Sequence, residues 1–335
     1  MNEPRRIACF HLNQLGDLLF SLPALYSLRT GFPKAHITSV ARPQLSELLK
    51  LAGLVDEIVE RPRRPFGSGF RVAAELRRER PDLGVLFSTS LGMAALALLS
   101  GCRERVGFAH WVAKPFLTRR VPWAEPPSTQ NNLRLLEAIG CPAAKTDYVG
   151  LIEPGQPENE EACQILQSAG IGADERFAAL GPGTSGGREV KSWTDEGFAE
   201  VADRLATEFG LRSVVVGLGR GEQICRLSRN AVDLTEKTSL PVLAGVLRRA
   251  GLFIGVDSGV MHLAASVGTP VVALFGPSDP EVTGPQGEGH RVVCAAVSCR
   301  PCPAKSCEIG RRCMTEITPD MVIQAVSSLP RRGSA

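Results

Sequence analysis

No run in the sequence is long and apolar enough to cross a bilayer. Its most apolar stretch, Leu91 to Leu99, is about half of the roughly 20 residues that a membrane helix needs. The opening segment MNEPRRIACFHLNQLGD lacks the uninterrupted apolar core of an export signal, because His11, Asn13, Gln14 and Asp17 break it. The protein is therefore expected to stay unexported, in the cytoplasm. Charge of one sign is missing too: the formal net charge of +3 is too small over this length to argue for a nucleic-acid partner. Tandem repeats and low-complexity tracts are absent. So is the order G-x-x-x-x-G-K-[ST], which counts against hydrolysis of ATP or GTP on a P-loop. What is present is ordinary globular composition, 44% hydrophobic and 22% charged, over 335 residues. That length exceeds what one core fills efficiently and predicts two domains.

Short β-branched runs alternate twice with longer amphipathic ones, the order that a parallel sheet flanked by helices writes into a sequence. In the first half, Ile7 to Leu12, Ile37 to Val40 and Leu83 to Phe87 read as strands, and Asp17 to Arg29 and Gln44 to Leu51 as helices. Arg61 to Phe70, RPRRPFGSGF, reads as an exposed loop. The segment IEPGQPENEE marks a boundary, giving domains 1–153 and 154–335. Beyond it Phe177 to Leu180, Ser213 to Val216, Leu252 to Val256 and Val271 to Leu274 read as strands, with helices at Glu196 to Glu208, Leu240 to Arg249 and Met261 to Val267. The expected architecture is α/β, two doubly wound Rossmann-like domains facing across a cleft, with ligands beyond the carboxyl ends of the strands.

Three motifs fall just after strands. In NQLGDLLFSLPAL, Gly16 permits a tight turn and Asp17 stands at the start of a helix, either as a simple cap or as a carboxylate able to take a proton from a hydroxyl. In GPGTSGGREVKSW, small residues including Thr184 and Ser185 let backbone N–H groups approach a phosphate and Lys191 adds a mobile cation. The bland reading is a flexible turn. The most specific motif is LFIGVDSGVMHLAASVGTPVVALFGPSDP, where Asp257, Ser258 and Gly259 open a helix whose free N–H groups suit a diphosphate. His262, one turn in, either contacts phosphate or shapes the turn. In VVVGLGRGEQ the glycines are assigned to the nucleoside end of a sugar nucleotide, and Glu222 either meets a ribose hydroxyl or faces solvent.

Two clusters stand outside this pattern. Cys299, Cys302, Cys307 and Cys313 have the spacing C-x2-C-x4-C-x5-C, open to reading as reduced structural thiols, a zinc site or disulfides. Arg61, Arg63 and Arg64 form either a solvated charge run or a contact for an anionic acceptor.

Taken in order, LGDLLFSLPAL, GPGTSGGREVKSW and GVDSGVMHLAASVGTPVVALFGPSDP resemble the lipopolysaccharide heptosyltransferase family, glycosyltransferase family 9, over nearly the whole chain. The resemblance implies a GT-B fold, an ADP-heptose donor, inversion at the anomeric carbon and an inner-core lipopolysaccharide acceptor, lipid-linked or as an oligosaccharide. It points to Asp17 as catalytic base, Lys191 as phosphate contact, and Asp257, Ser258, Gly259 and His262 as the sugar-nucleotide turn. The stretch before Lys191 is longer than the family usually has. No Asp-x-Asp metal motif follows a first-half strand, so no essential metal or other cofactor is expected. Work at the cytoplasmic face of the inner membrane, with peripheral contact at most, fits the same resemblance. A sugar-nucleotide epimerase and a non-catalytic nucleotide-sugar binding protein are the alternatives on this architecture.

Overall fold

The structure is a computed structural model and describes residues 3–12, 14–61, 68–124, 127–184, 189–302 and 306–330. The chain divides into two units, Met1–Leu151 and Ile152–Ala335, just ahead of Pro154 and Gly155.

In the first unit β1 (Arg6–Phe10), α1 (Leu15–Gly31), β2 (His36–Ala41), α2 (Pro43–Ala52), β3 (Glu57–Glu60), α3 (Ser68–Glu79) and β4 (Leu83–Leu86) follow one another. They continue into α4 (Leu91–Leu99), β5 (Glu104–Phe108), β6 (Arg119–Val121) and α5 (Ser128–Glu137). The strands form one sheet in the order β3-β2-β1-β4-β5-β6, all parallel, with Ile7 opposite Ile37 on one side and Leu83 on the other. Of the loop expected over Arg61 to Phe70, residues 62–67 lie outside the described residues, and α3 already begins at Ser68.

The second unit starts with α6 (Gln156–Ser168), β7 (Phe177–Gly181), α7 (Asp195–Phe209), β8 (Arg212–Val215), α8 (Gly221–Leu227), β9 (Ala231–Asp233) and α9 (Leu240–Arg249). It ends with β10 (Leu252–Val256), α10 (Gly259–Ser266), β11 (Val271–Leu274), α11 (Pro280–Thr283), β12 (Arg291–Val293), α12 (Arg312–Thr315) and α13 (Pro319–Ser327). Its parallel sheet has the order β12-β11-β10-β7-β8-β9. Helices cover both faces of such a sheet, so its central strands are buried on both sides and read as continuous apolar runs. FAALG in β7 and LFIGV in β10 are buried at every position.

Helix ends follow capping chemistry. The Thr194 hydroxyl accepts from Gly197 N at 3.1 Å to start α7, and Gly210 ends it in the left-handed region at φ +65°. The Ser239 hydroxyl starts α9 in the same way.

Both sheets reverse direction at their first strand. From β1 the chain winds outward through β2 and β3, then returns to lay β4 on the other side; from β7 it winds through β8 and β9, then returns to lay β10. Loops on the two sides of such a strand part at its carboxyl end and leave a crevice, where ligands of open α/β sheets bind.

Candidate active site

In the first unit the crevice lies after β1 and β4. Gln14 occupies the cap position of α1 without a side-chain bond, and Asp17 is the third helical residue. Asp17 is therefore not the helix cap. It is half-buried and lines a cavity of about 440 Å³ together with Phe20, Phe87, Ser88, Trp123 and Asn132. These side chains come from α1, from the ends of β4 and β6, and from α5.

His11 ties α1, the helix that carries Asp17, to β2, a contact with no signature in the sequence. Its ring is buried, with Nδ1 2.9 Å from Ser21 Oγ, Nε2 3.0 Å from Ser39 Oγ, and Phe87 stacked at 5.2 Å. Ser21 gives its hydroxyl hydrogen to Leu18 O at 2.7 Å. Nδ1 must then carry the ring proton and donate to Ser21, while Nε2 accepts from Ser39. Burial pushes the His11 pKa down to about 3, which keeps this imidazole neutral.

In the second unit three loops meet at the carboxyl ends of β7, β8 and β10. A Cβ on Gly183 would lie 2.1 Å from Leu218 O, so only glycine lets the loop after β7 pack backbone to backbone on the loop after β8. Gly217 in that second loop has φ +92°, and a Cβ there would meet Val260 in the first turn of α10 at 3.3 Å. Lys191 closes a short 3-10 turn, Glu189–Lys191, and its Nζ donates to Asp257 Oδ2. The two side chains are only 16% and 6% exposed. After Asp257, the Ser258 hydroxyl accepts from Met261 N at 3.5 Å and α10 begins at Gly259. The first-turn N–H groups of a helix have no intrahelical acceptor, and with the dipole they attract an anion. A cation and a helix N-terminus thus converge on one spot.

The Lys191 turn is held from the carboxyl-terminal segment. Arg311 Nη1 donates to Glu189 O at 2.8 Å and to Ser192 O at 3.1 Å, the carbonyls that flank Val190 and Lys191. Trp193 is fully buried, donates from Nε1 to Ile317 O at 2.9 Å and meets Phe198 edge-on. Arg311 lies among the cysteines, and its backbone N–H donates to Cys307 Sγ at 3.3 Å. The sequence carries only a basic residue in a Cys-rich stretch there, with no pointer to a partner 122 residues away.

Other expected residues fare differently. His262 is buried, and its pKa falls to about 4 through burial, with the Asp257 charge opposing and the Lys191 charge adding to the drop. In its neutral form this imidazole can shape the turn or donate a ring N–H to a phosphate. Glu222 is exposed and pairs with Arg226 one turn along α8. Thr184 is half-buried after β7, and Ser185 lies outside the described residues, as do Arg63 and Arg64. Arg61 is half-buried at the end of β3, where burial and then the Arg42 charge disfavour its protonated form.

Cys299, Cys302, Cys307 and Cys313 are free thiols. Among the described residues, the group of His, Cys, Asp or Glu side chains in mutual metal-binding reach is His36, Glu57 and Glu79; the four cysteines are not part of it, though Cys299 and Cys307 lie near enough to Cys313 to help raise its pKa after burial. The cysteine segment instead clasps the loop after β11: Arg300 Nε donates to Gly276 O at 2.9 Å and Cys302 N to Pro277 O at 2.8 Å.

Residues 70–312 match the sequence model of Glycosyltransferase family 9 (heptosyltransferase). A lipooligosaccharide heptosyltransferase 2 from Campylobacter jejuni is 31% identical over 328 residues, 94% of this chain and 95% of its own. The glycosyl transferase family 9 structure from Veillonella parvula superposes with a TM-score of 0.85 at 23% identity, covering 96% of both chains. The E. coli heptosyltransferase WaaC solved with ADP gives 0.74 at 19% identity over 96% of this chain and 99% of that one. The two doubly wound sheets are those of a glycosyltransferase of the GT-B architecture. Within that class, the chain belongs to glycosyltransferase family 9, the heptosyltransferases.

Proposed function

We propose that the protein is an inverting heptosyltransferase that moves a heptose from ADP-heptose to a hydroxyl of an inner-core lipopolysaccharide or lipooligosaccharide acceptor. The observation that carries the donor side is the Lys191–Asp257 pair at the mouth of α10. In this reading residues 154–335 bind the nucleotide sugar and residues 1–153 the acceptor. The names of the Campylobacter relative and of WaaC with ADP support heptose and ADP as the donor's parts.

An acceptor hydroxyl is a poor nucleophile at neutral pH. Asp17 takes its proton as the oxygen attacks the anomeric carbon, and the bond from that carbon to the diphosphate breaks with its electron pair leaving on ADP. A single displacement inverts the centre. The leaving diphosphate gains negative charge during the step, and Lys191 with the N–H groups of Gly259 and its neighbours meets that charge, stabilising the transition state more than the ground state. Asp257 aims the ammonium. Thr184 and Ser185 complete the phosphate cradle, Glu222 serves the ribose, and Arg61, Arg63 and Arg64 serve an anionic part of the acceptor. No essential metal enters this scheme. Among the described residues no helix is long and apolar enough to cross a membrane, and contact with a lipid-linked acceptor is peripheral in this reading.

The test is a panel of ADP-, UDP- and GDP-sugars offered with and without a deacylated inner-core oligosaccharide, scored by nucleotide release and product mass. ADP-heptose should be consumed, and heptose should appear on the oligosaccharide, only when both are present. Acceptor-independent conversion of the donor sugar would favour an epimerase instead.

A further inference from the structure

Trp123 stands out in the first unit. Its side chain is 54% exposed, although an indole in water leaves a large apolar surface unburied. The surrounding structure holds it there. Its ring meets the buried Phe108 edge-on, with centroids 4.7 Å apart at 72°. The next residue is clamped by the buried Asn131 side chain, whose Oδ1 accepts from Ala124 N at 3.0 Å and whose Nδ2 donates to Ala124 O at 2.8 Å. On the other side, Ala109 N donates to Val121 O at 2.8 Å and extends the β5–β6 pairing. The segment is pinned at both ends, and the indole forms a fixed wall of the cavity that also contains Asp17.

The rest of that cavity has a consistent chemistry. Phe20, Phe87 and Phe108 supply apolar surface, while Ser88, Ser128 and His110 supply hydrogen-bonding groups. Apolar faces combined with a few placed polar groups recognise a small ligand of mixed character, and about 440 Å³ is within the range of single-ligand pockets, roughly 300–1,000 Å³. A pyranose has this mixed character, with C–H groups on one face and hydroxyls around its rim. We propose that Trp123 is the stacking wall of an acceptor-sugar subsite: the apolar face of a pyranose lies against the indole, and one of its hydroxyls is thereby presented to Asp17. The inference rests on Asp17 acting as base toward an acceptor. It adds the chemical class of the group bound beside that base and the residue that orients it.

The experiment uses the full chain, ADP-heptose and a deacylated inner-core oligosaccharide. In Trp123→Ala the acceptor KM should rise about tenfold or more and kcat should fall as the hydroxyl loses its alignment with Asp17, while the KM for ADP-heptose stays within about threefold. Trp123→Phe should recover most of the affinity, which separates stacking from damage to the fold. Titrating the oligosaccharide should change the tryptophan fluorescence of the wild type and of Trp111→Phe, but not that of Trp123→Phe. Wild-type transfer with an unchanged acceptor KM in Trp123→Ala, or an oligosaccharide-induced fluorescence change that survives in Trp123→Phe, overturns the stacking. Absence of any transfer by the wild type overturns the heptosyltransferase reading and this inference with it.

Discussion

Lys191 and Asp257, 66 positions apart, meet as a shielded ion pair where two loops of the second sheet converge. In the proposed reading Lys191 meets the donor diphosphate, and the Asp257 carboxylate offsets the ammonium until that anion competes for it. Lys191→Ala should weaken ADP binding by about tenfold or more, the usual worth of a charge-assisted hydrogen bond to phosphate. Asp257→Asn should weaken it less, since the cation remains but loses its aim. Calorimetry of ADP binding to both variants and to the double variant checks this, and full additivity in the double variant would show that the pair does not act as a unit.

Arg311 holds the carbonyls of Glu189 and Ser192, so under the proposed function it would act on the donor through the position of Lys191. Arg311→Ala should raise the KM for the nucleotide sugar by roughly 3- to 10-fold and leave the acceptor KM unchanged. Arg311→Lys, which restores charge and one donor, should recover part of the loss. An equal effect on both substrates would point to general destabilisation instead.

Acid should weaken the fold through its two buried neutral histidines. Free imidazole takes up a proton near pH 6.5, but His11 and His262 resist it down to about 3 and about 4. Below pH 6.5 the unfolded chain therefore binds more protons than the folded one, and stability falls as pH falls through that window. Each group contributes up to about 1.4 kcal/mol per pH unit. Thermal melts of wild type and His11→Gln between pH 7.5 and 4.5 should show a shallower decline in the variant. Parallel declines would mean that His11 titrates normally.

Leaving-group charge is assigned here to Lys191 and to backbone N–H groups, so transfer should persist in EDTA. A complete loss that Mg²⁺ restores would contradict the assignment.

The central strands of the second sheet were legible because burial on both faces makes them uninterrupted apolar words: Leu252–Val256 and Val271–Leu274 fall where the sequence puts them. The edges were not. β6 is the three residues Arg119–Val121, and β3 is EIVE, with charged residues at both ends; one side of an edge strand faces solvent, so its composition resembles a loop. α4 was visible only as an apolar run too short for a membrane, and α5 is polar, STQNNLRLLE, its buried face mixing Thr129, Asn131 and Asn132 with Leu133, Leu135 and Leu136. Of the candidate site residues, Asp17 lines a cavity and Lys191 meets Asp257; all three were singled out because glycines and charge after a strand are a local signal. His11, Trp123 and Arg311 were not, because their roles come from contacts far along the chain.

The account turns on one carboxylate. Asp17→Asn keeps the size and polarity of the side chain but removes its capacity to take a proton, so kcat measured at saturating ADP-heptose and acceptor should fall by about 10² to 10⁴, with ADP affinity unchanged. Turnover at the wild-type rate in that variant would contradict the account.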